Sequence, residues 1–200
     1  MATISSVKIA NMALSHVGAK SSIESFTENS AEARQVNLWY DYSRLQALEA
    51  FNWNFARKRI TLAVHSEAAP TDIWAYRYQY PADCILVREI ANPAGKLADA
   101  VPFDIEVDAT GNEKTILTDV QDAKLVYTFD VTAPSLFSAF FVEVLSHLLA
   151  YHITFSITGD LKLKAAQLQI YMALMNKAPA HNANEAMGAA PREAPWIRGR

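Results

Sequence analysis

Residues Pro134 to Thr158, PSLFSAFFVEVLSHLLAYHITFSIT, decide the fold of this chain. Leu136, Phe137, Phe140, Phe141, Val144, Leu145, Leu148, Leu149, Tyr151, His152 and Phe155 recur at helical spacing. Pro134 suits a first turn, where its missing N–H has no intrahelical partner, and Gly159 offers a left-handed end. The spacing therefore predicts one helix from residue 134 to 158, about 35 Å long. Its apolar arc is too wide for a one-sided surface helix, so other helices are expected on more than one side. Length alone also fits a membrane span. Glu143, His147 and His152 interrupt the run, and no Lys or Arg flank follows Thr158, which favours a buried bundle helix.

Working outward, residues 3–17 form a first expected helix, with Val7, Ala10, Leu14 and Val17 on one face and Thr3 or Ser5 as its cap. Gly18 ends it. A polar link with Ile23 and Phe26 as anchors leads to a second helix capped by Ser30, its stripe running through Val36, Trp39 or Tyr40, Ser43, Ala47 and Ala50. Phe51, Trp53 and Phe55 then crowd three rings into five residues. That density reads as a structural knot packed into core rather than as a ligand box. The basic triplet Arg57-Lys58-Arg59 reads as a solvated run ending the helix, with nucleic-acid contact as its alternative.

From Trp74 the period changes to two. Tyr76, Tyr78 and Tyr80 alternate with Arg77 and Gln79 up to Pro81. Residues 85–90 form a strand or a turn. Phe103 to Asp108 and Thr115 to Thr118 form a hairpin around Gly111-Asn112, and 124–129 is a last strand. After Gly159-Asp160, a fourth helix is expected from Leu161 to about Lys177, burying Leu161, Ala165, Leu168, Met172 and Met175. The expected fold is α+β. A mainly α-helical bundle of four helices (1–69 and 133–180) carries a β-rich insert (70–132) and an extended C-terminal tail (181–200).

The 200 residues carry a net charge of −3, unevenly spread. Residues 70–132 hold five Lys or Arg against eleven Asp or Glu, leaving the remainder at +3. An acidic module thus sits inside a mildly basic one, with no clustered stripe of the duplex-reading kind. The N-terminus has no secretory pattern, and the one cysteine, Cys84, forms no internal disulfide framework.

Catalytic signals are weak. Cys84 between Asp83 and Ile85 reads as a structural thiol, and His147 and His152 lie five apart, off the shared face that helical ligand pairs need. His16 and His65 have no ligand-type spacing. Asp104, Glu106 and Asp108 share one strand face, which fits a solvated sheet, a Ca²⁺ site or a pair of glycosidase carboxylates. No phosphate-binding loop, nucleophile elbow or dinucleotide fingerprint is present. No catalytic, cofactor or metal residue is assigned, and the chain is expected not to be an enzyme.

Three segments together resemble a known family: Ile9-Ala10-Asn11-Met12-Ala13-Leu14-Ser15-His16-Val17-Gly18-Ala19, Phe51-Asn52-Trp53-Asn54-Phe55-Ala56-Arg57, and Trp196-Ile197-Arg198. They are similar to the tail tubular protein A, or head-to-tail adaptor, family of short-tailed bacteriophages, across nearly the whole chain. The resemblance implies a virion structural protein, made in the host cytoplasm and built into the tail neck. It implies a homo-oligomeric ring, commonly of twelve copies, between the portal protein and the tail nozzle. Genome DNA passes through the lumen without sequence-specific binding, and no membrane is involved. The tail residues Arg192, Trp196, Ile197, Arg198 and Arg200 have the composition of an interface anchor and are expected to bind the portal. An envelope-glycan hydrolase using Asp104 and Glu106, and a small DNA-binding or packaging factor using Arg57-Lys58-Arg59, are the competing expectations.

Overall fold

A computed structural model describes residues 4–70, 72–93 and 99–185. Among these the chain is mixed α+β, with four α-helices and two small three-stranded antiparallel sheets. The order is α1 (Ser6–His16), α2 (Ala31–Ala50), β1 (Arg57–Thr61), β2 (Tyr76–Gln79), β3 (Cys84–Ile90), β4 (Asp104–Val107), β5 (Lys114–Thr118), β6 (Lys124–Phe129), α3 (Ala139–Thr158) and α4 (Leu161–Asn184).

The helix starts follow capping chemistry. Ser5 accepts from the Lys8 N–H and Ser30 from the Ala33 N–H, each satisfying a donor that the first turn leaves free. Asp160 accepts from two, those of Lys162 and Leu163. The central helix starts later than its apolar run predicts. Pro134–Leu136 is a separate 3₁₀ turn, Phe137 drops into the core, and Ser138 caps α3 by accepting from the Phe141 N–H at 3.2 Å. Leu136, outside this break, is 52 % exposed. At the other end Gly159 adopts φ +70°, the left-handed geometry expected of it.

α3 buries Phe141, Val142, Val144, Leu145, Ser146, Leu148, Leu149, Ala150, Ile153 and Thr154, a set that leaves little of its circumference bare. α1, α2 and α4 each pack against it. This helix is long and apolar enough to cross a bilayer, and here its apolar surface is met by other helices.

α4 departs from expectation twice. Its buried residues are Gln167, Leu174 and Ala178, roughly a third of a turn from the expected stripe, and Leu161 and Met172 remain 65 % and 54 % exposed. It also continues past Lys177 to Asn184, so residues 181–184 of the expected tail are helical. Pro179 removes one helical N–H, but contacts on either side hold the last turn. Ala178 is buried, His181 stacks on Phe140 at 3.9 Å, and Asn182 bonds to Asn52 and Asn54.

The strands begin before residue 70. Arg57-Lys58-Arg59 does not end a helix; it opens β1, which pairs with β6 across a long sequence gap (Arg57 opposite Thr128, Thr61 opposite Lys124). β6 is the centre of the sheet β1-β6-β3, and β5 the centre of β2-β5-β4. Past β1 the chain moves to the second sheet, where Val64 bridges Tyr78 and Gln79 donates to the Ala63 carbonyl. Leu62, Tyr78, Val87, Ile90, Ile116, Ala123, Leu125 and Tyr127 fill a β core of their own, separate from the helical one.

Two arginines fasten helices to strands. Arg44, 4 % exposed, ion-pairs with Asp130 and donates to the Val131 carbonyl at 2.9 Å. Arg88 on β3 donates to the Glu49 and Phe51 carbonyls at 3.0 and 2.9 Å, closing the C-terminal end of α2 with a cation where the helix dipole favours one.

Candidate functional site

The Phe51, Trp53 and Phe55 cluster forms where α2 ends and the chain turns through a short 3₁₀ segment, Asn54–Ala56. Trp53 is 3 % exposed and its indole N–H donates to the Ala47 carbonyl at 2.8 Å. Its ring centroid lies 5.1 Å from that of Phe51, 6.1 Å from Phe55 and 5.2 Å from Phe141. Phe55 packs edge-on against Phe141 at 5.0 Å and meets Phe137 at 5.8 Å. Asn54 completes the junction: its backbone N–H donates to Asn182 Oδ1 at 2.8 Å, and its side-chain amide to the Asn182 carbonyl at 2.7 Å. The exit of α2, the start of α3 and the end of α4 therefore meet on these rings. The indole nitrogen at the centre already has its partner.

The three acidic residues of the β4 hairpin serve different local purposes. Asp104 accepts from the Ile105 N–H, and Glu106 lies 3.8 Å from the buried Arg77 guanidinium, which Glu67 approaches from another side at 3.7 Å. Asp108 is not on the strand face at all. It follows the end of β4 and organises the turn, accepting from the N–H groups of Glu113 and Asn112 and from the Thr110 hydroxyl, while Gly111 takes φ +78°. Those bonds, the one from Glu113 foremost, hold the Asp108 carboxyl down at about 2. His65 approaches Glu113 at 3.5 Å.

The helical histidines come together in ways that spacing along one helix does not predict. His16 of α1 stacks on His147 of α3, with centroids 4.0 Å apart. Gln167 of α4 joins both, through His147 Nδ1 at 2.8 Å and by donating to the His16 carbonyl at 3.0 Å. Burial, and secondarily the neighbouring His147, lower His16 to about 4. His152 stacks on Trp39 at 4.7 Å and lies 3.1 Å from Gln46 Oε1; burial and then Lys164 lower it to about 4 as well. Cys84 is half-buried at the start of β3, and burial raises its thiol. Among the described residues no three His, Cys, Asp or Glu side chains gather at metal-binding distance.

The expected partner-binding residues Arg192, Trp196, Ile197, Arg198 and Arg200 lie outside the described residues. No family model matches the chain, and no curated relative matches it either.

Proposed function

We propose that this chain is a ring-forming structural subunit, a head-to-tail adaptor of a short-tailed bacteriophage that joins the portal to the tail nozzle. The observation that carries the reading is a pair of bare apolar faces on different helices. On α2, Leu38, Tyr42 and Leu45 recur at i, i+4 and i+7 and are 64, 55 and 36 % exposed. On α4, Leu161 and Met172 stand out to a similar degree. A head-to-tail ring requires two different patches on each subunit, one meeting the other on the next copy, whereas a two-fold dimer requires one self-complementary patch. Apolar residues at helical spacing on a solvent face are otherwise poorly accounted for in a soluble helix.

In this reading the four helices act as one bundle (1–69 and 133–180) gathered on α3 and knotted at Trp53. The β module (70–132, with β1 joined to it) faces a neighbouring subunit or the nozzle. The C-terminal segment holds the portal through Trp196 and its arginines. Genome DNA passes through the lumen, and no catalysis is required of any side chain. The similarity of the three segments quoted above is the second support.

Charge at the bare α2 face is the direct test. Leu38 keeps most of its surface in water and Leu45 about a third, so Leu38→Asp with Leu45→Asp is expected to fold at a cost of about 2 kcal/mol. The variant should remain a monomer under conditions in which wild type assembles on a portal. Assembly of the variant equal to that of wild type would refute the reading.

A further inference from the structure

Side chains alternate between the two faces of a strand, so β1 divides the triplet Arg57-Lys58-Arg59. Lys58 stands on the face that carries Tyr127 and Phe129 and is committed there. Its ammonium is 2.6 Å from Asp83 Oδ2 and 4.2 Å from the centre of the Phe129 ring. Arg57 and Arg59 stand on the opposite face, where the register places Thr61 opposite Lys124. Arg88 reaches that same face from β3, its Nε donating to Thr128 Oγ1 at 2.8 Å. These four cations line an open groove of about 810 Å³, shared with the segment from Asp99 to Phe103. Glu89 and Asp99 also line it, so the groove keeps an excess of two positive charges on a chain whose net charge is −3.

We propose that this outward face of the β1-β6-β3 sheet is a contact site for the sugar–phosphate backbone of a nucleic acid. Two residues advance about 6.7 Å along a strand. Arg57, Arg59 and then Lys124, beside Thr61, therefore form a row of three positive rungs rather than a single cluster. A row in a groove open to solvent suits a chain of phosphates better than one compact phosphate. Val126 and Thr128 beneath the row are buried, so the row itself presents charged head groups, while Ile60, Val101 and Phe103 form apolar parts of the groove wall. Arg59 and Lys124 have no ion-pair partner among the described residues, which leaves their charge free for a ligand. Guanidinium N–H groups donate to phosphate oxygens in bidentate fashion, and contacts to the backbone alone do not depend on base sequence. The site does not require the ring reading, because it lies within one subunit.

Neutralising three phosphates of duplex DNA predicts a slope of log affinity against log salt of about −2.7, and of about −2.1 for a single strand. Over a fourfold rise in salt the duplex affinity should fall about 40-fold. Fluorescence anisotropy of the full chain with a labelled DNA duplex, and separately with one single strand, reads this directly. Arg59→Gln with Lys124→Gln should flatten the duplex slope to about −0.9 while leaving the circular dichroism and melting curve unchanged. Lys58→Gln, its neighbour on the other face, should leave the slope as it was. The proposal is overturned if wild type shows no salt-dependent binding, if the double variant binds as wild type does, or if Lys58→Gln loses as much. Adenosine monophosphate displacing the duplex at equal phosphate concentration would make the groove a single-nucleotide site. Polyglutamate displacing it equally would make it a site for an acidic protein. Either result would also overturn the proposal.

Discussion

Replacing Trp53 with alanine tests the junction on which the helical part depends. The side chain is 3 % exposed, touches rings from both sides of the junction, and its N–H satisfies the Ala47 carbonyl in the last turns of α2. Removing a buried Trp costs about 3–5 kcal/mol in lost transfer energy and residual cavity. The released carbonyl adds about 1 kcal/mol if water does not reach it. Against a total stability of about 5–15 kcal/mol, this takes about a quarter or more of the folding free energy. In a chain of this size it corresponds to a fall of roughly 10 °C in melting temperature. Trp53→Phe separates the contributions: it keeps most of the ring packing and deletes the donor, so a loss of about 1–2 kcal/mol is expected. Urea titration followed by far-ultraviolet circular dichroism measures both, and avoids the fluorescence of the other tryptophans. A cost below about 1 kcal/mol for Trp53→Ala would show that the rings meet without holding the helices, and the junction argument would fail.

Further outcomes follow from other contacts. Arg44→Ala should cost about 2–3 kcal/mol in the same titration, less than a fully buried pair, because the Asp130 side chain keeps 36 % of its surface in water. Ser30→Ala and Gly159→Ala remove a cap and a left-handed residue; each should cost about 1 kcal/mol, measured singly. His16 and His152 are held near 4, below their ordinary 6.5, so the unfolded chain binds more protons between those values. Stability should therefore be complete above pH 6.5 and decline as pH falls toward 4. Both rings keep contact with water, which limits the loss to about 1 kcal/mol each. A flat profile in chemical denaturation over this interval would contradict the burial of both rings. Deleting 189–200 should leave the melting curve unchanged and abolish stable attachment to a portal in co-sedimentation, whereas undiminished attachment would remove the tail from the account.

Local chemistry was the legible part of the sequence. Ser5, Ser30 and Gly159 act where capping and left-handed preferences place them; the alternating runs from Tyr76 and Phe103, and the expected strands at 115–118 and 124–129, all coincide with strands. The width of the α3 arc also announced cover on several sides. Features set by distant partners were not legible. Nothing local tells the basic run at 57–59 that β6 lies beside it, and the triplet's charge masks its strand alternation. The buried face of α4 was misread because apolarity stood in for burial. Gln167 goes inside to meet two histidines, while Leu161 and Met172 stay outside. Arg44 was invisible for the same reason, since a charged residue is buried only when a partner such as Asp130 is supplied from far along the chain. Of the candidate site, the aromatic density at 51–55 marked the junction, but its tie to Asn182 depends on a helix that sequence ends too early.

The central claim, a subunit that builds a ring on a portal, is tested most directly by imaging. Purified protein, alone and mixed with a portal assembly, should be examined by negative-stain electron microscopy with native mass measured on the same samples. The account predicts closed rings of one discrete copy number seated on the portal, formed by wild type and absent with the α2 face charged. Protein that remains monomeric in both samples, with the portal left bare, would contradict it.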